Sequence, residues 1–393
     1  MPLLTLWNSG RTAQGPAIRI AALGDLCPVG GFEKRLLETP LAEVIDPELL
    51  EAFRSSDAVV ANLEAVLTTA ETWRVPGIGL RASPRVAPVL REMGITHATL
   101  ANNHMRDLLC TGVRDTIGHC RESGIVPIGA GADLDAASEP WAGAIGGVRV
   151  GIIAVAEREF NMAGPNHAGT ALFDPAALPA QVEVLRPQVD LLLTSIHAGH
   201  EFFLSPSPRQ VAAYRAAAMA GADAIIGHHP HVLNGWERER HHGCPIFYSL
   251  GNFCFDSDYV CAYPYWELGL ALFLRADRHG LLAIEGLPYQ INQGHSVTAL
   301  KGTAFETFVI WWEGLNRLLS DEAVWRAAWR RNCMERYETE SRAILIREID
   351  ALAGDAPGWP ALRWLNRFRC PTSLEYYQEI FSTLAENHGL APD

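Results

Sequence analysis

The sequence contains no Cys-x-x-Cys pair. Its eight cysteines, at positions 27, 110, 120, 244, 254, 261, 333 and 370, are scattered along 393 residues, so neither a cysteine zinc site nor a disulfide framework is indicated. Reduced thiols in a cytoplasm are the expectation. No window approaches the run of about 18 apolar residues that a membrane span requires. The opening MPLLTLWNSGRTAQGPAIRI has no basic segment followed by a long apolar core. The chain is expected to make no membrane contact and to stay in the compartment where it is made. Clusters of lysine and arginine are also missing, and the formal net charge is −13. Both features argue against a phosphate-backbone partner, so no nucleic acid is expected.

What remains is a chain able to bury a large core. Apolar residues make up 48% and charged residues 20%, which suits one large domain or a domain with an extension. From AIRIAALGD onward, short runs rich in Val, Ile and Ala (DAVVAN, ITHATLA, IVPIG, VRVGIIAVA, DLLLTSIHAG, ADAIIGHH, PIFYSLGNF) alternate with helical spacing at 111–124 and 207–221. Runs of this length, bounded by Gly, Pro and Asn, predict strands buried on both faces by helices, an α/β class.

Beyond about residue 255 the pattern changes. YWELGLALFLRA and GLLAIEGLPYQI predict a β-hairpin, and a helical tail follows with Trp311, Trp312, Trp325, Trp329, Trp359 and Trp364. The expected division is an N-terminal segment 1–17, a sheet domain 18–300 and a Trp-rich helical extension 301–393. The tryptophans predict helix packing, on the same chain or on a second copy, so a homo-oligomer stays open.

In open α/β sheets, ligands gather at the carboxyl ends of the strands. Five successive runs end in polar groups: Asp25; Asn62 and Glu64; Asn102, Asn103, His104 and Asp107; His197, His200 and Glu201; His228, His229 and His231. Singly, each is what a cap, turn or satisfied core histidine also uses. Together, carboxylate, amide oxygen and imidazole form the donor set of a divalent cation. Pro230 stiffens the backbone between His229 and His231, so both imidazoles can serve one metal centre. His228 is expected to point the other way, as a core residue or as one that supports a ligand. His104 with Asp107, three residues on, suits an acid-oriented base, and Asp25 suits an orienting role for another histidine. His295, in INQGHSV, is a further catalytic candidate. Glu201, Asn252, Arg81 and Arg85 are candidates for contacting substrate, the arginines as carboxylate receptors.

The ordered motifs GDLC, NLE, ANNHMRD, HAGHE, GADAIIGHHPHV and YSLGNF resemble those of the poly-γ-glutamate capsule synthesis (CapA) family, over about residues 18–256. That family is similar to the calcineurin-like metallophosphoesterases, which implies a four-layer αββα sandwich followed here by the helical extension. The resemblance implies a metal site of Asp25, Glu64, Asn103, His197, His229 and His231, with His104 as the neighbouring catalytic histidine. The first motif departs: Asp25-Leu26-Cys27 stands where Asp-x-His is expected, so one ligand is missing, and one ion or two stays open. A weakened second metal favours acid/base chemistry beside a carbonyl over phosphoryl transfer. A subgroup of the family acts as lasso-peptide epimerases. The expectation is therefore a metal-dependent enzyme on a peptide substrate, epimerising a Cα near the carboxyl terminus. Hydrolysis of a phosphoester or a poly-γ-glutamate amide, and a non-catalytic peptide or polymer scaffold, are the alternatives.

Overall fold

Each apolar run becomes a strand whose successive side chains point to opposite faces. The computed structural model describes residues 3–74, 79–255, 257–353 and 358–388. Its first large sheet runs in the order Leu4–Asn8, Gly280–Asn292, Leu268–Asp277, Ile18–Leu26, Ala58–Leu63, His97–Thr99, Val126–Ile128. The second runs Trp236–Arg238, Pro245–Phe247, Ala224–His228, Leu191–His197, Val148–Ala156, Trp141–Ile145. From Ile18–Leu26 to Val126–Ile128 the first sheet is parallel, as are the four strands from Val148–Ala156 to Pro245–Phe247 in the second.

The two faces of each strand explain the layers. Ile20 and Ala22 turn toward the second sheet and join Val150, Ile152, Leu193 and Ile226 in one core. Their neighbours Ala21 and Leu23 pack on the other side with Phe32, Leu36 and Phe53 of covering helices. Ile153 and Val155 likewise meet Val182, Val211 and Tyr214 beyond the second sheet. Helices, two sheets and helices again make the four-layer αββα sandwich that the sequence led one to expect. Each fully buried Leu, Ile or Phe contributes about 1.5–3 kcal/mol.

The helices forecast at 111–124 and 207–221 are Leu109–Glu122 and Pro208–Met219. The second starts where Ser207 accepts from the Gln210 amide at 3.1 Å with Pro208 in its first turn, a strong N-terminal signal. The forecast hairpin is the antiparallel pair Leu268–Asp277 and Gly280–Asn292. Residues 1–17, expected to stand apart from the sheet domain, instead supply the edge strand Leu4–Asn8, paired with Gly280–Asn292. A strand too short to be recognised alone was fixed there by tertiary pairing.

The tail packs on its own chain. Helix Gly302–Ser320 places Phe308 and Trp312 in the core between the sheets, and Trp312 Nε1 donates to the Asn234 carbonyl at 2.9 Å. Trp325 and Trp329 are each 1% exposed; the Trp359 side chain lies outside the described set. Helix Pro371–Asn387 is tied to the sandwich by a polar cluster. The Glu157 carboxylate accepts from the Thr372 amide at 3.0 Å, from the Thr372 hydroxyl and from Arg209. Arg209 also donates to Thr372 Oγ1 at 2.8 Å. Among the described residues, no helix is long and apolar enough to cross a membrane.

Candidate metal centre

The parallel strands of both sheets end at one edge of the sandwich, and there the polar residues of five strand ends meet. Asp25 ends Ile18–Leu26 and is fully buried. Its Oδ1 accepts from Asn62 Nδ2 at 2.8 Å and lies 3.2 Å from His228 Nδ1, while Oδ2 accepts from the His229 amide at 2.9 Å. Burial alone raises a carboxyl pKa, but the hydrogen bond and charge of His228, with the imidazoles of His197 and His231, outweigh it and hold Asp25 below the ordinary carboxylate range. His228 therefore braces Asp25, the supporting role that was one of its two expected readings.

Asn62 is a second brace, its amide nitrogen lying between Asp25 Oδ1 and His197 Nδ1, the latter at 3.1 Å. With Nδ1 so occupied, the other His197 nitrogen, Nε2, faces Asn103 Oδ1 at 3.1 Å and Glu64 Oε1 at 3.5 Å. Burial holds the His197 ring well below its usual pKa, and the His229 ring at about 4, so both are neutral near pH 7, the form that binds a metal.

His229 and His231 both adopt left-handed backbone, with φ of +96° and +56°. Such strain persists only where surroundings enforce it. Here the His229 amide is held by Asp25, and His231 is held by Asn252, whose Oδ1 is 2.9 Å from His231 Nδ1 and whose Nδ2 donates to the His231 carbonyl at 2.9 Å. Asn252 was expected to contact substrate; it is fully buried and instead orients the imidazole.

Among the described residues, donor atoms gather in three overlapping groups. Glu64 with His197 and His229, Asp25 with Glu64 and His231, and Glu201 with His229 and His231 each offer three within 4.8 Å of one another. Glu64 is the sharpest test of whether a cation fits. It is fully buried, neither carboxylate oxygen has a hydrogen-bond partner, and burial together with the charges of Asp25, Glu201, Glu159 and Asp107 pushes its pKa well up. A buried carboxylate without donors is costly, and a divalent cation removes that cost. The residues fit a metal ion. Cys27, buried at the altered first motif, belongs to none of these groups.

The centre opens into a cavity of about 780 Å³. His104 and Asp107 line it, His104 Nδ1 lying 2.7 Å from Asp107 Oδ2. Burial lowers the His104 pKa, but the charge and hydrogen bond of Asp107 overcome this and raise it. Glu159, also in the wall, is pushed up to about 8 by burial and the charge of Glu201. Glu201 lines the cavity as well, its Oε2 accepting from Tyr259 at 2.8 Å.

Other candidates lie elsewhere. His295 sits on the loop between Gly280–Asn292 and Ser296–Ala299 and packs edge-on against Phe32, with ring centroids 5.7 Å apart, so it is not part of the cavity wall. Arg81 is exposed, donating to the Ala70 carbonyl at 3.0 Å and lying over Trp73. Arg85 is an exposed residue at the start of helix Val86–Met93. Four other arginines line the cavity: Arg74, Arg336, Arg363 and Arg367. The last three belong to the extension, where the tryptophans drew attention to packing instead. Glu159 follows strand Val148–Ala156, and reading past that strand end as past the others finds it.

The model of the bacterial capsule synthesis protein PGA_cap family matches residues 19–257. The chain is similar to the PGA biosynthesis protein CapA of Bacillus subtilis (strain 168), 30% identical over 259 residues, covering 64% of this chain and 66% of that protein. It is similar also to the capsule biosynthesis protein CapA of Bacillus anthracis, 32% identical over 253 residues, covering 62% and 61%. The matches thus span just under two thirds of those relatives. Among solved structures, a novel phosphatase of Mycoplasma pneumoniae overlays 70% of this chain and 93% of its own at 14% identity, with a TM-score of 0.42. An overlay that loose carries no inference about this chain. The family match is of another order: it runs across every strand end that builds the centre, from Asp25 to Asn252, and on that ground the chain belongs to the bacterial capsule synthesis protein PGA_cap family.

Proposed function

We propose that the protein is a metal-dependent acid/base enzyme that epimerises a Cα near the carboxyl terminus of a peptide, as lasso-peptide epimerases do. The observation that carries this reading is the presence of two proton-transfer groups lining one cavity. His104, oriented by Asp107 at 2.7 Å, stands within electrostatic reach of Glu159, whose pKa of about 8 leaves it protonated at neutral pH.

Asp25, Glu64, Asn103, His197, His229 and His231 would hold the metal. When bound, a divalent cation there supplies Lewis acidity toward a carbonyl or carboxylate oxygen. The chain's own residues handle the proton. His104 takes it from Cα, with Asp107 stabilising the imidazolium that results. Glu159 returns one to the opposite face of the carbon, so the bond broken and the bond formed are both C–H, the configuration inverts, and no electrons are gained or lost. Arg74 and Arg363 offer guanidinium groups for the substrate carboxylate. A cytoplasmic peptide is the substrate we favour.

One observation favours a second reading. The same arginines suit a phosphate as well as a carboxylate, so hydrolysis of a phosphoester remains in view. Incubation of the metal-loaded protein in heavy water with peptides bearing unblocked carboxyl termini separates the two. Deuterium at a Cα near the terminus, lost with His104→Ala, is the expected result. No exchange on any peptide, with turnover of a chromogenic phosphodiester that His229→Ala abolishes, would give the protein to the hydrolases.

A further inference from the structure

Glu201 is held by more than a substrate contact would need. It lies just beyond strand Leu191–His197, in a turn bent by left-handed backbone at Gly199 (φ +120°) and Phe202 (φ +63°). For phenylalanine that conformation costs about 1–3 kcal/mol and persists only where surrounding contacts impose it. The turn aims the carboxylate at His229 and His231, with one donor atom from each of the three within 4.8 Å of the others.

Two contacts from other parts of the chain fix that position. Tyr259 Oη donates to Glu201 Oε2 at 2.8 Å. Arg336, the last residue of helix Glu322–Arg336, donates from Nη1 to the Glu201 carbonyl at 2.6 Å. The guanidinium is itself clamped, 5.7 Å above the Phe202 ring, 5.6 Å above Phe203 and 5.4 Å above Tyr263, with Glu340 at 3.2 Å from its Nε. Arg336 lies beyond the span of the family match, which ends at residue 257, and so does Tyr259.

We propose that Glu201 is a ligand of the metal ion on its cavity side, and that Tyr259 and Arg336 are positioning residues that hold this ligand in place. The proposal rests on the metal-centre reading above. It makes the helical extension part of the centre: the sandwich supplies Asp25, Glu64 and the histidines, and the extension fixes the acid that closes the set toward the cavity. A carboxylate at that point also suits a hard or borderline divalent ion that keeps an exchangeable face toward substrate.

The test is calorimetric titration of the full, chelator-stripped chain with Mn²⁺ alone, which needs no substrate. Wild type should take up Mn²⁺. Glu201→Gln should weaken uptake at least tenfold, and Tyr259→Phe and Arg336→Lys each by about tenfold, the lower end for lost outer contacts to a ligand. Melting temperatures of the metal-free forms should be unchanged in Tyr259→Phe, which separates a positioning role from a merely structural one. Tyr259 is half exposed and loses only its hydroxyl, so this variant decides the matter even if Glu201→Gln does not fold. Wild-type affinity in Tyr259→Phe and in any folded Glu201→Gln would overturn the proposal while leaving the metal centre standing. A wild-type chain that takes up no Mn²⁺ would bring down both.

Discussion

His104 Nδ1 and Asp107 Oδ2 lie 2.7 Å apart within a single turn that follows strand His97–Thr99. Asp107 is no mere cap: the same Oδ2 accepts from the Leu80 amide at 2.8 Å, so a second segment fixes the carboxylate that orients the imidazole. In the mechanism proposed above, the ring nitrogen left over, Nε2, is the one that exchanges protons with a substrate.

Replacing Asp107 by Asn keeps the shape and removes the charge. The His104 pKa is raised chiefly because the charge and hydrogen bond of Asp107 outweigh burial, so Asp107→Asn should lower it. Titration of the ring by NMR in the metal-free protein checks this. Turnover should fall by about 10²–10⁴, the range for losing an effective acid/base group. A ring titrating alike in both proteins would remove Asp107 from the mechanism.

Metal removal should make stability fall as pH rises. Glu64 is pushed well above its usual pKa and Glu159 to about 8. Folded protein then holds protons that the unfolded chain releases near pH 4.3. That stability is complete below the unfolded value and lost as pH climbs through the folded values. The depressed rings of His197 and His229 act the other way, but their effect is spent by about pH 6.5. Between about pH 6.5 and 8, therefore, the chelator-treated protein should melt at progressively lower temperature, and Glu64→Gln should flatten the slope. Saturating metal should restore about 2.7 kcal/mol at a hundredfold excess over Kd.

Glu157→Gln tests the tie between sandwich and extension. Its carboxylate is 4% exposed and serves both Arg209 and the first turn of Pro371–Asn387. Breaking a buried pair from one side costs about 3–5 kcal/mol. Limited proteolysis should cut within residues 358–388 sooner in the variant, while the fragment spanning the sandwich survives. Equal cleavage rates would show that aromatic packing alone docks the helix.

Gly24 precedes Asp25 in the first motif, where a Cβ would come 2.0 Å from the Gly251 carbonyl oxygen. Gly24→Ala must push apart strand Ile18–Leu26 and the segment carrying Asn252, at a cost of about 1–3 kcal/mol. Both melting temperature and metal uptake should fall, because Asp25 and Asn252 are partners across that contact. A variant with normal metal uptake would contradict this coupling.

Much of the centre was legible because its candidate ligands follow apolar runs. Asp25, Glu64, His197, His229 and His231 stand at strand ends, where chain direction alone brings them to one edge. Loop side chains gave no such direction. Arg81, Arg85 and His295 carried suitable chemistry, yet their backbones face them to solvent or onto Phe32. Asn252 is the instructive case: the position was found but not the role, since only the fold shows its amide turned onto His231. Arg336 lies 135 residues from Glu201, a separation over which no local pattern links two groups. Nor does sequence disclose the left-handed backbone at His229 and His231, which depends on contacts from Asp25 and Asn252.

The donors come from both sheets, Asp25 and Glu64 from the first, His197, His229 and His231 from the second. A bound ion would therefore act as a rivet through the sandwich. Two of the three donor groups draw on both sheets, so during folding the full set of donors comes together only once the layers dock. Metal would then be captured late, and its slow release would report the parting of the sheets rather than the chemistry of any single ligand.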